Sequence, residues 1–407
     1  MSRKPEDVFT PKTIASREMF ARRNESDLIG IPGVQNTLTE ALAEQGGQVL
    51  VYGDTGVGKS SLVRYAAADA GLQPVNVECF SNKTYEDLIE EGIGKLLETR
   101  DVKRTSTTVV GAEAEAGAKV KFLLSFKGTV KGERSTTHEI EVVEKPPLDA
   151  LIEAMKASGT RLIVLDNFQN VTEERTRLLV AQTMEALADR AAETGNIKTV
   201  VIGIADDAPS LLGGSVSFLR RTSEVGVPRM PDEEVEEIFR TGFKLLDLTI
   251  SDPLLLRLVF FADGFPYFAH LLGLYAARTA QRETHAAITE ADVDRGIAQA
   301  VLQVQQTFAA RLEKALEKGG DTQPRRRILQ LMANSDRREW QASDVIEIYR
   351  QKYGGRNNYT FLHVAFGLLI KPEYGGILKR NEARSPYTSR FADPQMRPYL
   401  RLNPVVE

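Results

Sequence analysis

The sequence predicts an α/β fold: a parallel sheet flanked by helices, then a helical lid, then a small basic module at the C-terminus. Three observations carry this expectation. In the first half of the chain, short continuous apolar runs such as Leu162-Ile163-Val164-Leu165 alternate with segments of helical periodicity, the pattern of buried parallel strands covered by helices. One run, Val49-Leu50-Val51-Tyr52, leads directly into Gly53-Asp54-Thr55-Gly56-Val57-Gly58-Lys59-Ser60, and Ser61 opens a helical stretch behind it. From Pro231 to Ala315 the strand signal disappears and helical periodicity takes over.

The glycine-rich segment is the centre of the reading. Strand, loop and helix in that order give G-x-x-x-x-G-K-[ST] the context in which it cradles phosphate. Its glycines let backbone N–H groups turn inward around an anion, and the helix N-terminus adds partial positive charge. Lys59 is expected to reach the β- and γ-phosphates of a nucleoside triphosphate, and the Ser60 hydroxyl to ligate Mg²⁺. ATP and Mg²⁺ are therefore the expected ligands, and the fold class is that of a P-loop nucleotide-binding domain.

Residues 1–28 are polar, with Arg17, Arg22 and Arg23, and read as an arm laid over the first domain. The nucleotide-binding domain spans 29–230. It holds a helix over Val34–Leu42 closed by Gly46-Gly47, a second strand at Pro74–Cys79, and a helix over Thr84–Thr99. Residues 102–145 interrupt the alternation; Ala118–Phe122 and Thr129–Lys131 read either as strands of an inserted hairpin or as a surface loop. Helices at 147–158 and 172–193 frame the strand ending in Asp166, and Thr199–Asp206 follows as another strand. The lid occupies 231–318, Asp321-Thr322-Gln323-Pro324 after Gly319-Gly320 reads as a linker, and 325–407 form the last module.

Asp166 ends its strand about a hundred residues past the loop, where a carboxylate would hold Mg²⁺ through water. The next residue is Asn167, which orients water but takes no proton, so slow turnover or a nucleotide-bound switch is expected; Glu173 or Glu174 could supply an acid instead. Asp206 reads either as a γ-phosphate sensor or as a helix cap. Arg220 and Arg221 read either as surface charge or as groups that reach a neighbouring subunit's γ-phosphate. The second reading requires head-to-tail homo-oligomers, a ring or a filament.

This order of phosphate loop, Asp-ended strand, Gly203-Ile204-Ala205-Asp206 strand, Arg-Arg pair and helical lid resembles the AAA+ superfamily over most of residues 29–315. Within it the chain resembles the initiator clade of origin-recognition and archaeal ATPases, and also the STAND signalling ATPases. The resemblance implies that Ile29, Gly30 and Ile31 line the adenine pocket, that Asp206 belongs to sensor 1, and that Pro266 of Gly264-Phe265-Pro266 packs near the base. Two departures stand out. Asn167 occupies the place where many such ATPases have a second acid, and Tyr267 sits where initiators carry a lid arginine.

The C-terminal module reads as three helices followed by a hairpin, which resembles a winged helix. Residues 325–407 carry 15 Lys+Arg against 8 Asp+Glu; with an overall formal charge of −4, this leaves −11 for the rest of the chain. A basic piece on an acidic body hints at a polyanionic partner. On that reading Asn358 and Thr360 would face bases of double-stranded DNA, and Lys379, Arg380, Arg384 and Arg390 would hold phosphates. His363 reads as a packing residue. The two functional readings are an ATP-controlled switch that assembles on DNA, and a STAND-type signalling ATPase, as in antiviral defence, that grips a protein effector.

Composition narrows the setting. The single cysteine, Cys79, allows no internal disulfide. No apolar run approaches the ~18 residues that span a bilayer, and Met1–Asp7 lacks the apolar core of a secretory signal. A cytoplasmic protein with no membrane partner is expected.

Overall fold

The computed structural model describes residues 3–20, 33–98, 120–129, 136–205, 211–212, 218, 220–317, 322–354, 359–381 and 387–404. The chain divides into two units. One contains the sheet and the bulk of residues 33–228; the other takes residues 3–20 together with 229–404.

In the first unit, α1 (Val34–Ala43) precedes β1 (Gln48–Tyr52), α2 (Lys59–Asp69), β2 (Pro74–Glu78) and α3 (Tyr85–Glu98). An antiparallel hairpin, β3 (Val120–Thr129) and β4 (Thr136–Lys145), stands as a separate two-stranded sheet, which makes the inserted segment a hairpin rather than a loop. Then come α4 (Pro147–Ser158), β5 (Leu162–Asp166), α5 (Glu174–Asp189), β6 (Lys198–Gly203) and β7 (Thr222–Gly226). Five strands form one parallel sheet in the order β2–β5–β6–β1–β7. Its interior strands are continuously apolar because helices cover them: Leu50, Ile163, Leu165 and Val201 pack with Ile93, Leu151, Met155 and Met184 in one core cluster. β7 is an edge strand, and only Thr222 and Val225 of its five residues are buried.

The second unit is helical. Its lid consists of α6 (Asp232–Leu245), α7 (Asp252–Ala262), α8 (Pro266–Arg282) and α9 (Glu290–Glu317). The arm belongs with this lid, not with the sheet domain over which the sequence placed it. The reason is Phe9. Its ring fills the space above two helical glycines, so that a Cβ at Gly242 or Gly273 would come within 2.2 or 2.4 Å of ring atoms. Phe243 adds a tilted ring contact at 5.4 Å between ring centroids, and the Thr10 N–H donates to His270 Nδ1 at 3.1 Å. Burial pushes the His270 imidazole down to about 4, so it accepts that bond as the neutral ring.

The chain ends in α10 (Gln323–Ala333), α11 (Ala342–Tyr353), α12 (Thr360–Ile370), an antiparallel hairpin of β8 (Leu378–Asn381) and β9 (Thr388–Phe391), and α13 (Met396–Leu402). Trp340 adds a bridge to the hairpin: its N–H donates to the Ser389 carbonyl and its carbonyl accepts from the Ser389 N–H. α13 is tied to the lid by a buried ionic hub. Asp263, in left-handed conformation after α7, accepts from Arg229 at 2.6 Å and pairs with Arg397 and Arg401 at 3.3 and 3.2 Å.

Candidate nucleotide site

The phosphate loop follows the carboxyl end of β1, whose Val49, Leu50 and Val51 are fully buried. Two of its glycines are dictated by geometry. Gly53 has φ +145°, and a Cβ there would lie 2.4 Å from the Val227 carbonyl oxygen. Gly58 has φ +90° and hands the chain into α2 at Lys59, which leaves the first N–H groups of that helix turned toward the loop. Lys59 folds back over the loop: its Nζ donates to the carbonyls of Gly53 at 3.0 Å and Asp54 at 2.7 Å. Burial pushes the Lys59 ammonium down to about 8, against the opposing pull of Asp166 and Asp54.

Asp166 comes to the loop from two strands away. Ser60 Oγ donates to Asp166 Oδ2 at 2.7 Å. This hydroxyl and carboxylate form a hard-oxygen pair that fits Mg²⁺, a cation that keeps several waters and takes its remaining ligands from phosphates.

Asn167 is exposed and held in left-handed conformation, φ 58°. Its N–H donates to Asp166 Oδ1 at 2.8 Å, and its side-chain amide donates to Glu78 Oε2 at 3.0 Å. Glu78 was missed in the sequence. Its only signal was its place near the end of the second strand, Pro74–Cys79, which the structure sets beside Asp166. Glu173, by contrast, accepts from the Thr176 hydroxyl at 2.6 Å at the start of α5 and serves its own helix.

The two arginines lie at the amino end of β7, Arg220 exposed and Arg221 paired with Asp189 at 2.8 Å. Gln48 pairs in register with Thr222 and Tyr52 with Gly226, so a strand length of about 15 Å separates these arginines from the loop beyond Tyr52. Ile29, Gly30, Ile31, Asp206, Asn358 and Arg384 lie outside the described residues. Pro266 opens α8 behind its N-cap Phe265, which follows Gly264 at φ +74°.

In the C-terminal module Thr360 is exposed at the start of α12, and Lys379 and Arg390 are register partners on the hairpin. Arg380 is exposed and stacks on Tyr387 at 5.2 Å. His363 is exposed, not packed: the buried face of α12 is taken by Leu362, Ala365, Phe366 and Leu369. The basic excess is also less available than its count suggested. Arg325, Arg397 and Arg401 are buried, and the last two serve the Asp263 hub.

A five-stranded parallel sheet with a glycine loop after β1 and an acid after β5 defines a P-loop ATPase fold of the AAA+ type. Residues 32–201 match a family described as the AAA ATPase domain. Among solved structures, a Walker-type ATPase of Pyrococcus abyssi is similar over 97% of this chain and 99% of its own, at 17% identity and a TM-score of 0.52. The ORC2 protein of Aeropyrum pernix covers 95% of each chain at 15% identity and a TM-score of 0.46. The RuvB branch migration motor of Thermotoga maritima covers 96% of this chain and 100% of its own at 15% identity and a TM-score of 0.43. Comparison with curated protein sequences gave no match.

Proposed function

We propose that this chain is an ATP-binding switch of the AAA+ type that assembles head-to-tail, hydrolyses ATP slowly and binds DNA through its C-terminal module as a winged helix. The observation that carries the nucleotide part is the 2.7 Å contact of Ser60 with Asp166 beside the Lys59 loop. ATP's phosphates would lie on the loop N–H groups and on Lys59, whose carbonyl bonds are exchanged for phosphate oxygens. Mg²⁺ would be held by Ser60 directly and by Asp166 through water, and it neutralises phosphate charge when bound. Slow turnover is expected from Asn167, which leaves no proton acceptor directly after Asp166.

Head-to-tail assembly is supported by Arg220. It is exposed and a strand length from its own loop, so any γ-phosphate it serves is a neighbour's. DNA binding is supported by Lys379, Arg380 and Arg390 on one hairpin. The STAND-type alternative, with a protein effector on the same module, is favoured by one feature, the Gly264-Phe265-Pro266 entry to α8.

The experiment is sizing of the purified protein with and without Mg·ATP and duplex DNA. The proposal expects larger species with ATP and a further shift with DNA that weakens as salt rises. Reversal of charge at Lys379 and Arg380 should weaken DNA binding alike across sequences and flatten its salt dependence. A species that stays monomeric with ATP overturns the assembly, and no DNA binding at low salt leaves the protein-effector reading.

A further inference from the structure

Glu78 and Asp166 are register partners on adjacent parallel strands, β2 and β5, and both stand at the carboxyl ends where the phosphate loop lies. Their backbones are therefore about 4.8 Å apart. Asn167 joins them: its backbone N–H donates to Asp166 and its side-chain amide to Glu78. Asp166 in turn accepts from Ser60. Glu78, Asn167, Asp166 and Ser60 thus form a continuous hydrogen-bonded row from the neighbouring strand to the loop. Within it Asp166 is committed to Ser60 and Asn167, and Asn167 takes no proton.

We propose that Glu78 is the general base for hydrolysis of the triphosphate bound at this loop, and that Asn167 is the positioning residue that holds it. The inference rests on the nucleotide reading above. In the step, the Glu78 carboxylate takes a proton from a water whose oxygen attacks the γ-phosphorus of ATP. The bond from that phosphorus to the β–γ bridging oxygen breaks, and ADP leaves with its electron pair. Glu78 is exposed and returns the proton to solvent, so the sum is ATP and water to ADP, phosphate and a proton. The amide of Asn167 fixes one carboxylate oxygen and leaves the other to face the water. Acid and amide have changed places relative to a site with the acid directly after Asp166, and the base reaches in from β2.

The test measures ATP binding and single-turnover hydrolysis side by side. Glu78→Gln should lower hydrolysis by about 100-fold or more while ATP affinity stays within about twofold, the signature of a lost proton acceptor rather than a lost contact. Asn167→Ala should lower hydrolysis less than Glu78→Gln. The exchange Glu78→Asn with Asn167→Glu should restore hydrolysis relative to Glu78→Asn alone, because it returns a carboxylate to the pair. Retained ATP affinity doubles as the check that each variant is folded. Hydrolysis by Glu78→Gln at the wild-type rate, or wild-type protein that binds ATP and never hydrolyses it, overturns the proposal while leaving the nucleotide reading intact. Wild-type protein that binds no ATP overturns both.

Discussion

Ser60 Oγ lies 2.7 Å from Asp166 Oδ2, although 106 residues of chain separate them. The contact exists because β1 and β5 end at the same edge of one parallel sheet with β6 between them. Asp166→Asn should lower affinity for Mg·ATP by about tenfold or more, equivalent to about 1.4 kcal/mol. Affinity for ATP in EDTA should change little. Calorimetric titrations with and without Mg²⁺ separate the two.

Lys59 gives a proton-coupled signature. Burial lowers its ammonium to about 8, whereas a triphosphate favours the charged form. Binding ATP at pH 8 should therefore take up about half a proton, read from the buffer dependence of the calorimetric heat, and Lys59→Met should abolish the uptake. The same shift has a defined sign for folding. A lysine lowered in the native state loses its proton on folding between about 8 and 10.5, so its contribution to stability rises with pH across that window. Denaturation at pH 8 and pH 10 should show a smaller rise for Lys59→Met than for wild type.

Asp263 balances three arginines that are themselves almost wholly buried: side-chain exposure is 8% for Arg229, 4% for Arg397 and 3% for Arg401. Burial lowers the Arg397 guanidinium to about 10 even with this partner. Asp263→Ala leaves buried cations without their carboxylate and should destabilise the helical unit by about 3–5 kcal/mol. Asp263→Asn keeps a residue that tolerates φ 51° and should cost less, a difference that melting curves resolve.

Phe9 anchors the arm. Phe9→Ala opens a void over Gly242 and Gly273 and should cost about 3–5 kcal/mol. Hydrogen exchange should then show α6 and α8 losing protection first, with the sheet core little changed.

The sheet domain was legible because its chemistry is local. Val49–Tyr52 and Leu162–Leu165 are uninterrupted apolar runs, and the loop between β1 and α2 has a spacing few other structures impose. The hairpin showed in the alternation of Ala118–Phe122, though its partner strand did not. β7 left little trace, since an edge strand with two buried residues needs few apolar ones. Long-range polar contacts were illegible for a different reason. Nothing near Glu78 announces Asn167, 89 positions away, and Arg397 and Arg401 count only toward the basic excess of the tail until α13 brings them to Asp263. The arm was misplaced because Arg17 and its neighbours dominate its composition, whereas one phenylalanine decides where it packs.

The most direct test is equilibrium binding of Mg·ATP to the wild-type chain and to Lys59→Ala. The wild type should bind one ATP per chain, and the variant should bind with an affinity lower by about a hundredfold, or about 2.7 kcal/mol. Equal affinity in the two proteins would contradict an ATP site at the Lys59 loop.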